Sequence, residues 1–236
     1  MSSTASISIT HEPPWLIVRF PAARRIMSWS INRPGMQEGD RVAWLQVRNA
    51  DLPVGTDPAS FLQERLDAHG LGDAIGLMTS SPLERYELGA ARVDGVDAVC
   101  LVTLGLSNAE RIGERRLARP AKPIHEPAVG TINLLCSLSV PLAEHAMLEA
   151  LSIATQARTT AILSRAYEPV PGAGVVTGTG TDCILIACPT GDPQQPFAGM
   201  HTAAGEALGA AVLRVTGAAM DDWLDRHAMP LPGASR

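Results

Sequence analysis

Between residues 129 and 215 the chain alternates an apolar run, an alanine-striped helix pattern, a second apolar run and a further amphipathic helix pattern. Few folds accept that order. An apolar run without polar alternation is buried on both faces, and two such strands joined by a helix form a layered α/β unit. Residues 129–140 give the first strand, and Pro141 behind it suits a first helical turn, where its missing N–H costs nothing. Ala143, Ala146, Ala150, Ala154, Ala157 and Ala161 then recur at intervals of three and four. They make a narrow small-residue face along which a helix approaches a sheet or another helix closely, a packing feature without catalytic meaning. Residues 183–188 give the second strand. Ala203, Ala207, Leu208, Ala211, Val212 and Val215 mark the next helix, with Thr202 as its N-cap.

The first half is richer in strands. Residues 15–20, 26–31 and 41–47 read as strands bounded by Pro, Gly or charged turns. Residues 58–69 read as a helix ending at Gly70, residues 74–79 as a buried strand, and a helical turn starts at Pro82. Residues 90–93 and 97–104 form a hairpin about Asp94-Gly95, and the stretch 119–127, with Pro120, Pro123 and Pro127, is a loop. Strands that cluster early and alternate with helices late predict an α/β (α+β) layered single domain over residues 1–236. Its mixed β-sheet is packed by helices, and residues 1–13 form a disordered or loosely attached tail.

Composition narrows the function classes. Hydrophobic residues at 46% against 18% charged residues predict a packed domain, and aromatics at 4% leave the core to Ala, Val, Leu and Ile. A formal charge of −5 argues against a nucleic-acid partner, and Arg24-Arg25 and the arginines of 111–119 read as solvated charge. No apolar run reaches the roughly 18 residues that span a bilayer, and residues 1–12 show no leader, so a soluble, cytoplasmic protein without a membrane partner is expected. Cys100, Cys136, Cys183 and Cys188 all lie within apolar runs and read as reduced core thiols, with no metal-knuckle spacing.

Four motifs exceed what packing requires. In Gly130-Thr131-Ile132-Asn133, Thr131 and Asn133 share one face of the strand and address one site. In Thr177-Gly178-Thr179-Gly180-Thr181-Asp182, glycines allow close backbone approach to a ligand and hydroxyls add donors; the plainer alternative is a turn in which Asp182 caps backbone amides. The loop lacks the lysine of a nucleotide-triphosphate site. His201 precedes the last helix, where the helix N-terminus favours its neutral, base-competent form; the alternative is a local capping bond. His201 and Glu206, five apart, are not a zinc pair, and no metal is expected. Asn108 follows a buried strand, placed either to donate to an oxyanion or to cap the turn after it.

Taken in order, Trp44-Leu45-Gln46-Val47, Gly76-Leu77-Met78-Thr79, Leu106-Ser107-Asn108-Ala109, Gly130-Thr131-Ile132-Asn133, Thr155-x-Ala157-x-Thr159, Gly178-Thr179-Gly180-Thr181-Asp182 and Gly199-x-His201-Thr202-x2-Gly205-Glu206 make the chain resemble the adenosylcobinamide amidohydrolases of cobamide salvage. One departure is Asn32-Arg33-Pro34-Gly35, where that family usually carries a glycine run. The resemblance implies cleavage of the amide between the corrin ring's acid and its aminopropanol arm, giving adenosylcobyric acid. It implies a small corrinoid substrate that brings its own cobalt, with no cofactor required; a homodimer is left open.

The second half is also similar to self-processing aminopeptidases and ornithine acetyltransferases, in which the Ser or Thr after a cleaved bond becomes the nucleophile. By position that residue is Thr131. An unactivated amide needs a strong nucleophile or a metal. The resulting candidates are Thr131 as nucleophile, Asn108 with the backbone of 103–106 as oxyanion donors, and Asp182 and His201 in base or orienting roles. Candidate substrate contacts are Thr79, Thr103, Gly105, Ser107, Asn133, Gly178, Thr179, Gly180, Thr181 and Glu206. The expected form is intact, with His201 as base; the alternative is cleaved between Gly130 and Thr131, with the freed α-amine as base. A self-processing amidase or acyltransferase on a smaller substrate, and a corrinoid binder without hydrolysis, are the competing functions.

Overall fold

A computed structural model describes residues 7–114, 130–169, 172 and 174–227. Among the described residues, ten strands and three α-helices follow in the order β1 (Ser8–Glu12), β2 (Trp15–Ser28), β3 (Gly35–Gln46), α1 (Pro58–Ala68), β4 (Ile75–Thr79), β5 (Glu87–Val93), β6 (Val96–Leu104), β7 (Ala109–Glu110), β8 (Ile132–Leu138), α2 (Glu144–Leu163), β9 (Gly178–Thr179), β10 (Cys183–Pro189) and α3 (Ala203–His227). The main sheet is mixed, in the order β4-β3-β2-β10-β8-β6-β5, with β1 antiparallel to β2. β10 runs parallel to β8 and antiparallel to β2, and β8 is antiparallel to β6. A mixed sheet packed by helices is the expected architecture; β7 and β9 form a separate two-stranded sheet. The expected loop at 119–127 and the strand start at 129 lie outside the described residues.

Three local expectations change. Residues 15–28 are one strand, not two: the register with β3 shifts between Arg19 and Arg24, and Pro21 sits in that irregular stretch, where no ladder donor is missed. Residues 8–12 are not a loose tail, because β1 pairs with 15–19 while Ile7 and Ile9 pack on the cluster that holds Leu16 and Val18. The helix expected from Pro141 begins at Glu144. Residues 141–143 first pair with the loop at Gln195, whose N–H donates to the Pro141 carbonyl at 2.8 Å and whose carbonyl accepts from Ala143 at 3.0 Å. Arg24 is buried and Arg25 half-buried, not fully solvated as expected. They donate to the carbonyls of Leu138 and Leu142 at 2.8 and 2.7 Å, and burial pushes the Arg24 guanidinium below its ordinary range.

Alternation along β8 divides the core. Ile132, Leu134, Cys136 and Leu138 pack with α2 and α3, where Ala146, Ala150, Ala154 and Ala157 form the buried small-residue face. Asn133 and Leu135 point the other way. On that side the sheet curls until β4, at its far edge, returns to β8: the Asn133 side-chain amide donates to the Met78 carbonyl at 2.9 Å. The turn after β2 ties the same place, with Ser30 Oγ donating to Gly76 O at 2.6 Å and Asn32 Oδ1 accepting from Gly76 N at 2.9 Å. Asn32 thus does at that turn what a glycine run does not, holding β4 by side-chain bonds. Among the described residues no helix is long and apolar enough to cross a membrane.

Candidate active site

A cavity of about 500 Å³ opens where β4 meets the first residues of β8 and β10. Thr131, Asn133, Asn108, Thr79, Gly180, Thr181 and Asp182 line it. Residues far apart in sequence meet there because parallel β8 and β10 start at the same end of the sheet, while β6 ends beside them and delivers the turn that holds Asn108. Thr131, 6% exposed, donates its hydroxyl to the Thr181 carbonyl at 2.8 Å, and its own carbonyl accepts from Gly105 N at 3.0 Å. Thr79 Oγ1 accepts from Ser81 N at 3.0 Å. The Asn108 side-chain oxygen is buried with no partner among the described residues. A polar atom left unbonded beside a cavity is one that a ligand satisfies.

Asp182 organises this corner. Its carboxylate accepts from Ile132 N at 3.1 Å, Thr179 N at 3.1 Å, the Thr179 hydroxyl and Arg158 Nη1 at 2.5 Å. Four donors occupy it, and both ends of the Arg158 pair are nearly buried, at 11% and 8% exposure. Both oxygens are taken by donors, the bonding of an orienting group more than of a free base. The bond to Ile132 N fixes the peptide that follows Thr131. Gly178 belongs to the same device, since a Cβ there would stand 2.5 Å from an Asp182 oxygen. Gly178 and Thr179 do not line the cavity. They form β9, paired with β7, and brace the loop that carries Gly180 and Thr181.

His201 and Glu206 are elsewhere. Both are exposed and follow the far end of β10, whose seven residues span roughly 23 Å at about 3.3 Å each. There Thr202 caps α3 by accepting from Gly205 N at 3.0 Å, and Thr202 borders a groove with Asp94 and Val96 of the β5–β6 hairpin. The glycine of the motif is a packing requirement: a Cβ on Gly205 would collide with the carbonyls of Ala198 and Gly199. His201 thus stands exposed in the turn before α3 and does not line the Thr131 cavity. His201→Ala is expected to leave turnover near wild type, measured beside a melting curve, whereas loss of a general base costs about 10²–10⁴-fold. A fall of that size would return His201 to the chemistry. Of the remaining candidates, Thr103 pairs with Asn133 across β6–β8, Gly105 supports Thr131 from behind, and Ser107 is exposed; none of the three lines the cavity.

The profile of the adenosylcobinamide amidohydrolase family matches residues 1–228. The chain belongs to that family. Among curated relatives, the adenosylcobinamide amidohydrolase of Methanosarcina mazei is 24% identical over 189 residues, 75% of this chain and 82% of that protein. Its counterpart from Halobacterium salinarum is 27% identical over 196 residues, 79% of this chain and 76% of that one. A solved structure, the L-aminopeptidase D-Ala-esterase/amidase of Ochrobactrum anthropi, described as a variant of the Ntn hydrolase fold, covers 92% of this chain and 82% of its own at 11% identity and a TM-score of 0.38. A likeness that distant carries no argument about the site.

An amidohydrolase needs an attacking group, and this cavity is lined by the hydroxyls of Ser30, Thr79, Ser80, Thr131 and Thr181 and by the thiol of Cys183. Cys183 is the second nucleophile type in the lining, but burial, reinforced by neighbouring Asp182, pushes its thiol up to about 12. At neutral pH it is a thiol, not the reactive thiolate. Among the hydroxyls, that of Thr131 lies in the lining together with Asn133 and Asn108. Sequence reasoning missed the apolar part of the lining: Trp29, Ile31, Val47, Leu52 and Met78. The available signal was Trp29 itself, one of four tryptophans in an aromatic-poor chain, set at the end of a strand.

Proposed function

We propose that this amidohydrolase cleaves the amide between the corrin ring's acid and the aminopropanol arm of adenosylcobinamide, giving adenosylcobyric acid. The observation that carries this is the match, over at least three quarters of the chain, to two relatives named adenosylcobinamide amidohydrolase. Thr131 Oγ attacks the amide carbon; the C–N bond breaks and the amine leaves with a proton. Water then opens the resulting ester and restores the hydroxyl. The Asn108 side-chain N–H donates to the developing oxyanion, and Asn133 holds β4 against the floor of the cavity. No resident cofactor is required, and the cobalt arrives with the substrate.

The base is the open step. The position of His201 and the four bonds to Asp182 favour the form cleaved between Gly130 and Thr131, in which the freed α-amine stands on the same residue as the hydroxyl. Incubation with adenosylcobinamide, followed by mass spectrometry of small molecules and protein, tests both parts. Adenosylcobyric acid and two protein fragments are expected. Product from an intact chain would reject the cleavage, and bound corrinoid with no product would make the chain a binder.

A further inference from the structure

Trp29 and Ile31 stand at the cavity mouth with 46% and 49% of their surfaces exposed. The residue between them is the reverse. Ser30 is 1% exposed, and its hydroxyl is bonded to Gly76 O at 2.6 Å and shared with Asn32 Oδ1 at 2.9 Å. The backbone is therefore pegged inward at Ser30, and its two neighbours are held outward. Trp29 is fixed a second time, because its indole N–H donates to the Asp182 carbonyl at 2.6 Å. The ring is anchored by its polar edge and leaves apolar surface in water beside the Thr131 cavity. Half-buried Met78 and Leu52 add apolar surface to the same cavity lining. Contiguous exposed apolar surface on a rigid support marks a contact for another molecule.

The size of the cavity says which part of a substrate meets it. About 500 Å³ accommodates an amide arm and not an adenosylated macrocycle. A substrate whose scissile amide reaches Thr131 must leave its bulk at the mouth. We infer that Trp29 and Ile31 form a platform for the corrin macrocycle, a broad, largely apolar body, and so set the affinity of the site for corrinoids while Thr131 acts on the arm. This rests on the proposed substrate. A platform that holds the macrocycle equally in ground state and transition state shows its loss in KM and not in kcat.

The test is steady-state hydrolysis of adenosylcobinamide by the full-length wild-type protein and by Trp29→Ala, Trp29→Phe and Ile31→Ser, each with a melting curve. Trp29→Ala is expected to raise KM about tenfold or more with kcat nearly unchanged, and Trp29→Phe to restore most of the loss. Ile31→Ser keeps the indole bond to Asp182 and is expected to raise KM in the same sense. A folded Trp29→Ala with wild-type KM overturns the platform. So does Ile31→Ser with wild-type KM if Trp29→Ala fails to fold, and so does a loss confined to kcat. Wild-type protein that does not turn over adenosylcobinamide refutes the substrate itself, an outcome separate from unchanged KM in active variants.

Discussion

Thr131→Ala is expected to remain folded and to hold its corrinoid while hydrolysis falls by about 10³-fold or more. The substitution removes a hydroxyl and a methyl from a residue already 6% exposed, and it forfeits one bond, to the Thr181 carbonyl. The Asp182 bond to Ile132 N and the Gly105 bond to the Thr131 carbonyl both involve backbone and persist. Equilibrium binding of adenosylcobinamide, measured beside turnover, separates the loss of chemistry from loss of the site. Thr131→Ser keeps the hydroxyl and is expected to keep measurable activity. If the α-amine of residue 131 is the base, the rate rises with pH through the range near about 8 where such amines lose their proton. A Thr131→Ala protein that turns over substrate at a comparable rate ends the nucleophile assignment in both the cleaved and the intact form.

Asp182→Asn is expected to act first on stability. The neutral amide cannot accept at both of its heavy atoms, so one donor among Ile132 N, Thr179 N, the Thr179 hydroxyl and Arg158 is left facing another donor. Arg158 keeps its charge at 11% exposure with no carboxylate opposite. Removing one partner of a buried pair costs about 3–5 kcal/mol. For a chain of 236 residues that is a fall in melting temperature of roughly 6–20 °C, and turnover measured well below the transition should be lost less steeply than the fold. A double variant that replaces Arg158 and Asp182 together with apolar residues is expected to recover part of the loss, because no buried charge is left alone. Unchanged melting with collapsed turnover in Asp182→Asn would place the carboxylate in the reaction after all.

The chemistry of the strands was legible; the meeting of distant segments was not. Alternation placed Thr131 and Asn133 on one face, and both line the cavity. The plainer of the two readings of Asp182, a cap on backbone amides, is the one its bonds match. β1 was hidden because a strand that packs one side only needs an apolar residue every second position, and Ile9 stands among Ser8, Thr10, His11 and Glu12. β2 looked broken at Pro21 because proline usually ends a ladder, and the shift of register that tolerates it depends on β3. His201 looked catalytic because a His beside glycines before a helix is also what a tight helix start looks like. Only the direction of β10 reveals that it lies at the wrong end. Trp29 joins the site through a hydrogen bond spanning 153 positions, and no local pattern carries that information.

The order of strands decides what a break near residue 130 does to the molecule. β8 and β10 lie after that point, yet they sit side by side in the middle of the sheet, with β2 on one flank and β6 on the other, both from before it. The two pieces are interleaved, not joined end to end. Each long edge of the β8–β10 ribbon is sealed by a strand of the other piece, so neither piece is a domain and neither has a complete core of its own. A nicked polypeptide of this topology runs as two bands when denatured and as one particle when native. Loss of covalent continuity at that point releases an end without releasing a fragment.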